Sequence, residues 1–148
     1  MATLNQQLER AKKLSPEKIV SDLFKFIKSI EKELVAYNVA TLNQDSEDIF
    51  GKPIGFYSPG TEFMTNGRKK AGEPFDLLES GKLLESAFSE TKNETVIFGF
   101  KDPKFKDVLK NLWSEDIAGL QDDDKIKVIQ TRLLPFLQNN IIRKGLGI

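Results

Sequence analysis

Residues 76–100, DLLESGKLLESAFSETKNETVIFGF, decide how the rest of this chain is read. Helical periodicity stops here and a period of two begins. Val96, Phe98 and Phe100 alternate with Thr95, Ile97 and Gly99, the pattern of a strand with one apolar face. Leu84, Ser86 and Phe88 alternate more weakly with Glu85, Ala87 and Ser89, and the polar run Glu90 to Glu94 supplies a connecting turn. This predicts a β-hairpin over about residues 83–100, whose Phe-rich face needs helices to cover it.

Helices are written on both sides. Thr3 caps a short helix to about Leu14, with Leu4, Leu8 and Ala11 on one stripe. Ser15-Pro16-Glu17 places a capping hydroxyl, a proline at the first helical position and an acid in the first turn. From there Ile19, Leu23, Ile27, Ile30 and Leu34 recur every three or four residues, which predicts a helix to about Leu42, roughly 40 Å at 1.5 Å per residue. Asp102-Pro103 repeats the start signal ahead of Phe105, Val108, Leu109, Leu112 and Trp113 on one face, so Trp113 reads as core. Ser114 to Gly119 forms a break. Asp122, Asp123 and Asp124 then open a last helix whose stripe is Ile126, Ile129, Leu133, Phe136, Leu137 and Ile141, ending at Arg143, Lys144 and Gly145. Pro135 predicts a kink or the end of regular helix near Leu134. The expected fold is α+β: a long N-terminal helix and two C-terminal helices on a small antiparallel sheet, in one domain spanning 1–148.

Between helix and hairpin lies a long loop, about 43–74. Gly51, Pro53, Gly55, Pro59 and Gly60 punctuate it too often for a regular element. Phe50, Ile54, Phe56 and Tyr57 suggest that it lies against something, and Arg68, Lys69 and Lys70 make a basic run between Gly67 and Gly72. Loops this long are uncommon and tend to be functional or disordered, so residues 63–72 are expected to be mobile. The candidate interaction residues are Phe56, Tyr57, Arg68, Lys69 and Lys70.

Composition narrows the chemistry. The chain has 148 residues with 22 basic and 22 acidic side chains, so its summed field offers no general attraction to nucleic acid or an anionic membrane. It contains neither Cys nor His, which removes disulfides, thiolate nucleophiles, the usual zinc ligands and the usual neutral-pH proton shuttle. Asp122 to Asp124 lack calcium-loop spacing and suit a helix start. Ser80-Gly81 and Ser86 have no histidine to activate them and no G-x-S-x-G elbow around them; residue types leave open a serine–lysine pair such as one using Lys82, and a local turn at Ser80-Gly81 is the expected role. No enzyme activity, cofactor, metal or small-molecule substrate is expected. The N-terminus lacks a signal-peptide core and no run has membrane-span length, so an intracellular, soluble product is expected.

The stretch from Ile49 to Phe88 resembles small proteins of long-tailed bacteriophages and prophages, the tail-completion or virion-morphogenesis proteins of the neck. That family has a Gly- and basic-rich loop, here IFGKPIGFYSPGTEFMTNGRKKAGEP, followed by a segment D-L-x-x-[ST]-G-x-[LF]-x-x-S and a strand pair. Asp76, Leu77, Ser80, Gly81, Leu83 or Leu84, and Ser86 stand in for that segment, with serine where threonine is commoner. Asp116-Ile117-Ala118-Gly119-Leu120, leading into a closing helix, looks like the family's ending, although Pro135 is unusual there. The similarity covers most of the chain in layout and about a dozen positions in identity. It implies an α+β fold and a structural role: a homo-oligomeric ring at the head-tail junction or upper tail of the virion, in contact with portal, connector or tail-tube proteins, assembled in the bacterial cytoplasm. The alternative is a small nucleic-acid-binding or regulatory module that uses Arg68 to Lys70.

Overall fold

A computed structural model describes residues 1–77, 81–103, 105 and 115–148 of the chain. The fold is α+β: among the described residues, helices accompany a two-stranded antiparallel sheet. The predicted helix through Val108, Leu109, Leu112 and Trp113 lies outside the described residues except at Asp102, Pro103 and Phe105, as does Ser80.

The N-terminal caps form where their residue types place them. In α1 (Leu4–Lys12) the Thr3 hydroxyl accepts from the Gln6 N–H at 3.2 Å while the Gln6 side chain accepts from the Thr3 N–H at 2.8 Å, a reciprocal capping box. Ser15 caps α2 (Pro16–Ser29) through the Lys18 N–H. The long rod is not one straight helix. It is interrupted at Ile30 (φ −108°, ψ 16°) and resumes as α3 (Glu31–Ala40), which ends in a wide turn, Thr41–Asp45. The Ser29 hydroxyl donates to the Phe26 carbonyl, and the Ile30 N–H bonds Ile27 instead of Phe26. A helix-interior serine thus takes the acceptor that would have continued the helix.

The hairpin consists of β1 (Ala87–Lys92) and β2 (Thr95–Phe100), paired from Lys92 with Thr95 to Ala87 with Phe100. Asn93 and Glu94 both have positive φ (49° and 59°), the two-residue connection whose twist matches the strands. The first strand lies about three residues later than the expected Leu84–Ser89, and Glu90 to Lys92, expected in the turn, belong to it. A helical turn, α5 (Lys82–Glu85), precedes it, because Gly81 at φ 75° reverses the chain and lets Leu84 reach the core.

Thr91 sits in a pair without ladder bonds, so its N–H points away from β2. The Glu31 carboxylate at the start of α3 accepts it at 2.7 Å, and the Ser89 hydroxyl donates to the Glu31 carbonyl at 3.1 Å. The helix start therefore covers an otherwise open strand edge. Glu31→Ala is expected to lower stability by about 1 kcal/mol, since the bond is charge-assisted but part-exposed. Urea denaturation with an unchanged m-value checks this.

The core has two parts. Ile30, Leu34, Leu120 and Val128 are buried together, with Val96 and Phe98 of the hairpin packed against them. Leu42, Leu84, Phe100 and Ile117 form the other, and the ring of Phe105 lies 4.9 Å from that of Phe100. Buried Asn38 on α3 joins helix to loop by donating to the Ile117 carbonyl at 2.9 Å, at the end of the short turn Glu115–Ile117.

The last helix, α6 (122–146), continues through Pro135, where the sequence predicts a kink or an end of regular helix near Leu134; the chain stays helical but its turns change type on both sides. Ordinary helix occurs at Asp122–Val128, Leu134–Phe136 and Lys144–Leu146, and wide i→i+5 turns at Ile129–Leu133 and Leu137–Arg143 flank the proline. Those wide turns shift the hydrogen-bond register around the missing donor. Helix α6 is held to the rod by Phe26 and Phe136, stacked at 4.1 Å with an interplanar angle of 4°, and by Arg132 with Glu33 at 3.1 Å. Its end meets α1, where Arg10 donates to the Leu146 carbonyl at 3.1 Å.

Candidate functional site

The long loop carries the candidate interaction residues, and it is a folded unit. Residues 55–57 run beside 72–75: Tyr57 N–H bonds Glu73 O at 2.9 Å, Gly72 N–H bonds Tyr57 O at 2.9 Å, and Phe75 N–H bonds Gly55 O at 3.0 Å. At the tip Ser58-Pro59 repeats the Ser15-Pro16 signal and starts a short helix, α4 (Pro59–Met64). The Ser58 hydroxyl accepts from Thr61 N–H at 3.2 Å, and Gly67 at φ 79° returns its N–H to Glu62 O at 2.9 Å. The Glu62 carboxylate accepts from Ala71 N–H at 2.8 Å. The 63–72 segment, expected to be mobile because the loop is long, carries hydrogen bonds of its own at both ends.

Beneath the tip is a polar lock. The Lys69 ammonium donates to both Asp76 oxygens at 2.7 Å, and the Tyr57 hydroxyl donates to Asp76 Oδ1 at 2.7 Å. Asp76 N–H donates back to the Tyr57 oxygen at 3.2 Å, and Asn43 donates to Asp76 O at 3.1 Å. The Tyr57 ring stands edge-on to Phe75, centroids 4.9 Å apart. Burial works against the Lys69 charge, but the bond to Asp76 and the nearby Tyr57 outweigh it and hold the lysine above its ordinary range. Burial, followed by the bond to Asp76, pushes the Tyr57 phenol up as well.

Both shifts have the same sign in pH. A raised folded-state pKa contributes stability that is complete below the unfolded value and lost as pH rises through the folded value. The lock therefore weakens above about pH 10. Thermal midpoints are expected to fall there, and Lys69→Met combined with Tyr57→Phe should flatten that fall. The pair is also asymmetric. Asp76→Ala leaves a lysine only 8% exposed without its carboxylate and should cost about 2 kcal/mol. Lys69→Met leaves a carboxylate that is more open to water and still accepts from Tyr57, so about 1 kcal/mol or less is expected. Equal costs for the two substitutions would contradict the lock.

This geometry divides the five candidates. Phe56, Arg68 and Lys70 are exposed, whereas Lys69 is buried and ion-paired and Tyr57 is half-buried in the same lock. Arg68 to Lys70 is therefore not a continuous basic surface, because its middle member neutralises Asp76. Reasoning from sequence also passed over the most exposed apolar side chains of the loop, Phe63 at 85% and Met64 at 84%, on α4. The signal was present in Ser58-Pro59, which predicts a helix presenting the residues that follow.

Ser86, Asp122 and Asp124 sit in structural positions, and Ser80 lies outside the described residues. The Ser86 hydroxyl donates to Leu83 O at 2.7 Å, closing the turn of α5. Asp122 pairs with Lys125 at 3.1 Å, and Asp124 accepts from the Thr41 hydroxyl at 3.4 Å. Among the described residues no group of His, Cys, Asp or Glu is placed to hold a metal ion, and no helix is long and apolar enough to cross a membrane. A second surface feature is an apolar groove of about 420 Å³ between α2, α3, the hairpin and α6. Comparison with family models, curated proteins and solved structures finds no match to this chain.

Proposed function

We propose that this protein is a structural component of a tailed phage or prophage particle, acting at the head-tail junction or in tail completion by assembling with copies of itself and with neighbouring virion proteins. The observation that carries the reading is the loop tip: a short capped helix held by the Tyr57–Lys69–Asp76 lock, presenting Phe63 and Met64 almost fully to solvent. A domain gains nothing for its own core from apolar side chains displayed on a braced support, whereas an assembly interface does. The resemblance of residues 49–88 to neck proteins supplies the setting. Zero net charge suits contacts in which one patch on a subunit meets a different patch on the next.

Electron microscopy of particles made with and without the protein tests this. Separate heads and tails, or tails of abnormal length, are expected in its absence. Normal tailed particles would end the proposal.

A further inference from the structure

We propose that Asn66-Gly67 is a self-modification site: the Gly67 nitrogen that closes the loop tip is also the nucleophile that converts Asn66 to aspartate or isoaspartate when the tip opens. This is the one place in the chain where glycine follows asparagine, so no side chain shields the attacking nitrogen.

The fold of the tip accounts for both residues. Helix α4 ends at Met64 with Thr65 as its cap, and the next residue, Asn66, takes φ 52°. Its N–H donates to Phe63 O at 3.2 Å, and the Gly67 N–H reaches back to Glu62 O at 2.9 Å. Together these bonds make a Schellman closure, in which asparagine is accepted at the left-handed position because its short side chain tolerates positive φ. Both residues are exposed, and among the described residues nothing lies within 4 Å of the Cβ position at Gly67. Water and base reach the Asn66 amide freely. The Gly67 N–H, however, is already donated, and while it is held to Glu62 O it keeps both its proton and its direction.

Water is the one co-reactant the chemistry needs. Once the tip opens, base removes the Gly67 proton and the nitrogen attacks Asn66 Cγ. The N–Cγ bond forms, the Cγ–Nδ2 bond breaks, and ammonia leaves with a proton taken from water. Water then opens the five-membered imide. Attack at Cγ gives aspartate, whereas attack at the main-chain carbonyl carbon gives isoaspartate, whose backbone runs through Cβ and Cγ. Either product places a new negative charge next to Arg68 in the sequence. The isoaspartyl chain is also one carbon longer, so the Gly67 N–H no longer meets Glu62 O and the tip stays open. A transient opening is thereby made permanent.

The test uses the full-length protein, held in mildly alkaline buffer with and without urea, with isoaspartate located by peptide mapping and mass spectrometry. Isoaspartate is expected at residue 66, forming about tenfold faster in urea, because the closing bonds keep the open population low in the folded protein. Glu62→Ala removes the carboxylate that accepts from the Ala71 N–H and should raise the rate in native buffer about threefold. Asn66→Gly suits the left-handed position and removes the amide, so the thermal melt should be retained and residue 66 should stay unmodified.

Equal rates with and without urea would overturn the gate, as would a Glu62→Ala rate no faster than the parent's. Absence of isoaspartate at residue 66 in urea would overturn the site itself.

Discussion

Gly55→Ala is expected to destabilise the protein by about 3 kcal/mol, a large effect for one methyl group. Gly55 has φ +152°, a conformation that L side chains rarely adopt. A Cβ there would lie 2.5 Å from Cε2 of Phe75. Backbone strain and the clash act together, each worth on the order of 1–3 kcal/mol. The ring cannot swing away freely, because Phe75 stands edge-on to Tyr57 and its N–H bonds the Gly55 carbonyl. Displacing it pulls on the lock beneath α4. Two readouts follow: a lower denaturation midpoint, and faster proteolysis confined to residues 55–75. Adding Phe75→Leu removes the steric part and leaves the backbone part, so about half the loss should return. Full recovery would mean that the unusual φ costs nothing, and no initial loss would refute the close approach.

Leu42→Ala is expected to cost about 3–4 kcal/mol, the range of a fully enclosed leucine whose surroundings collapse only in part. Leu42 is 0% exposed and lies in the wide turn that ends the rod. It touches the buried set Leu84, Phe100 and Ile117, which draws together the turn of α5, the end of β2 and the segment before α6. No single element forms this part of the core, so the cavity has no neighbour free to slide into it. Ile97→Ala on the opposite hairpin face is the control, where a half-exposed side chain should lose less than about 1 kcal/mol. Similar losses at the two positions would show that residues 42, 84, 100 and 117 do not form a tight core.

Much of this fold is legible in the residues because local physics writes it. Thr3 and Ser15 cap because a hydroxyl satisfies a free helix N–H whatever lies further along the chain. Val96, Phe98 and Phe100 alternate because a pleated strand turns alternate side chains to one face. The same reasoning failed in the loop for an equally physical cause. Its glycines and prolines argue against a regular element, yet Gly55, Gly67 and Gly72 take positive φ to return the chain on itself and close hydrogen bonds. The helix signal at Ser58-Pro59 was hidden by the turn residues around it.

The candidate site was harder to see for a different reason. Lys69 and its neighbours look alike as letters, and charge counting treats three adjacent cations as one patch. Only the fold distinguishes them, by bringing Asp76 and Tyr57 against the middle one.

What the chain determines by itself is the class of fold, the helix starts at Thr3, Ser15 and Asp122, the presence of the hairpin, and the absence of cysteine and histidine from any chemistry. Tertiary structure alone decided that Lys69 points inward to Asp76 and Tyr57 and that Phe63 and Met64 point out. Caps and alternation depend on neighbours within a few residues, whereas these two outcomes depend on how the loop folds back on itself.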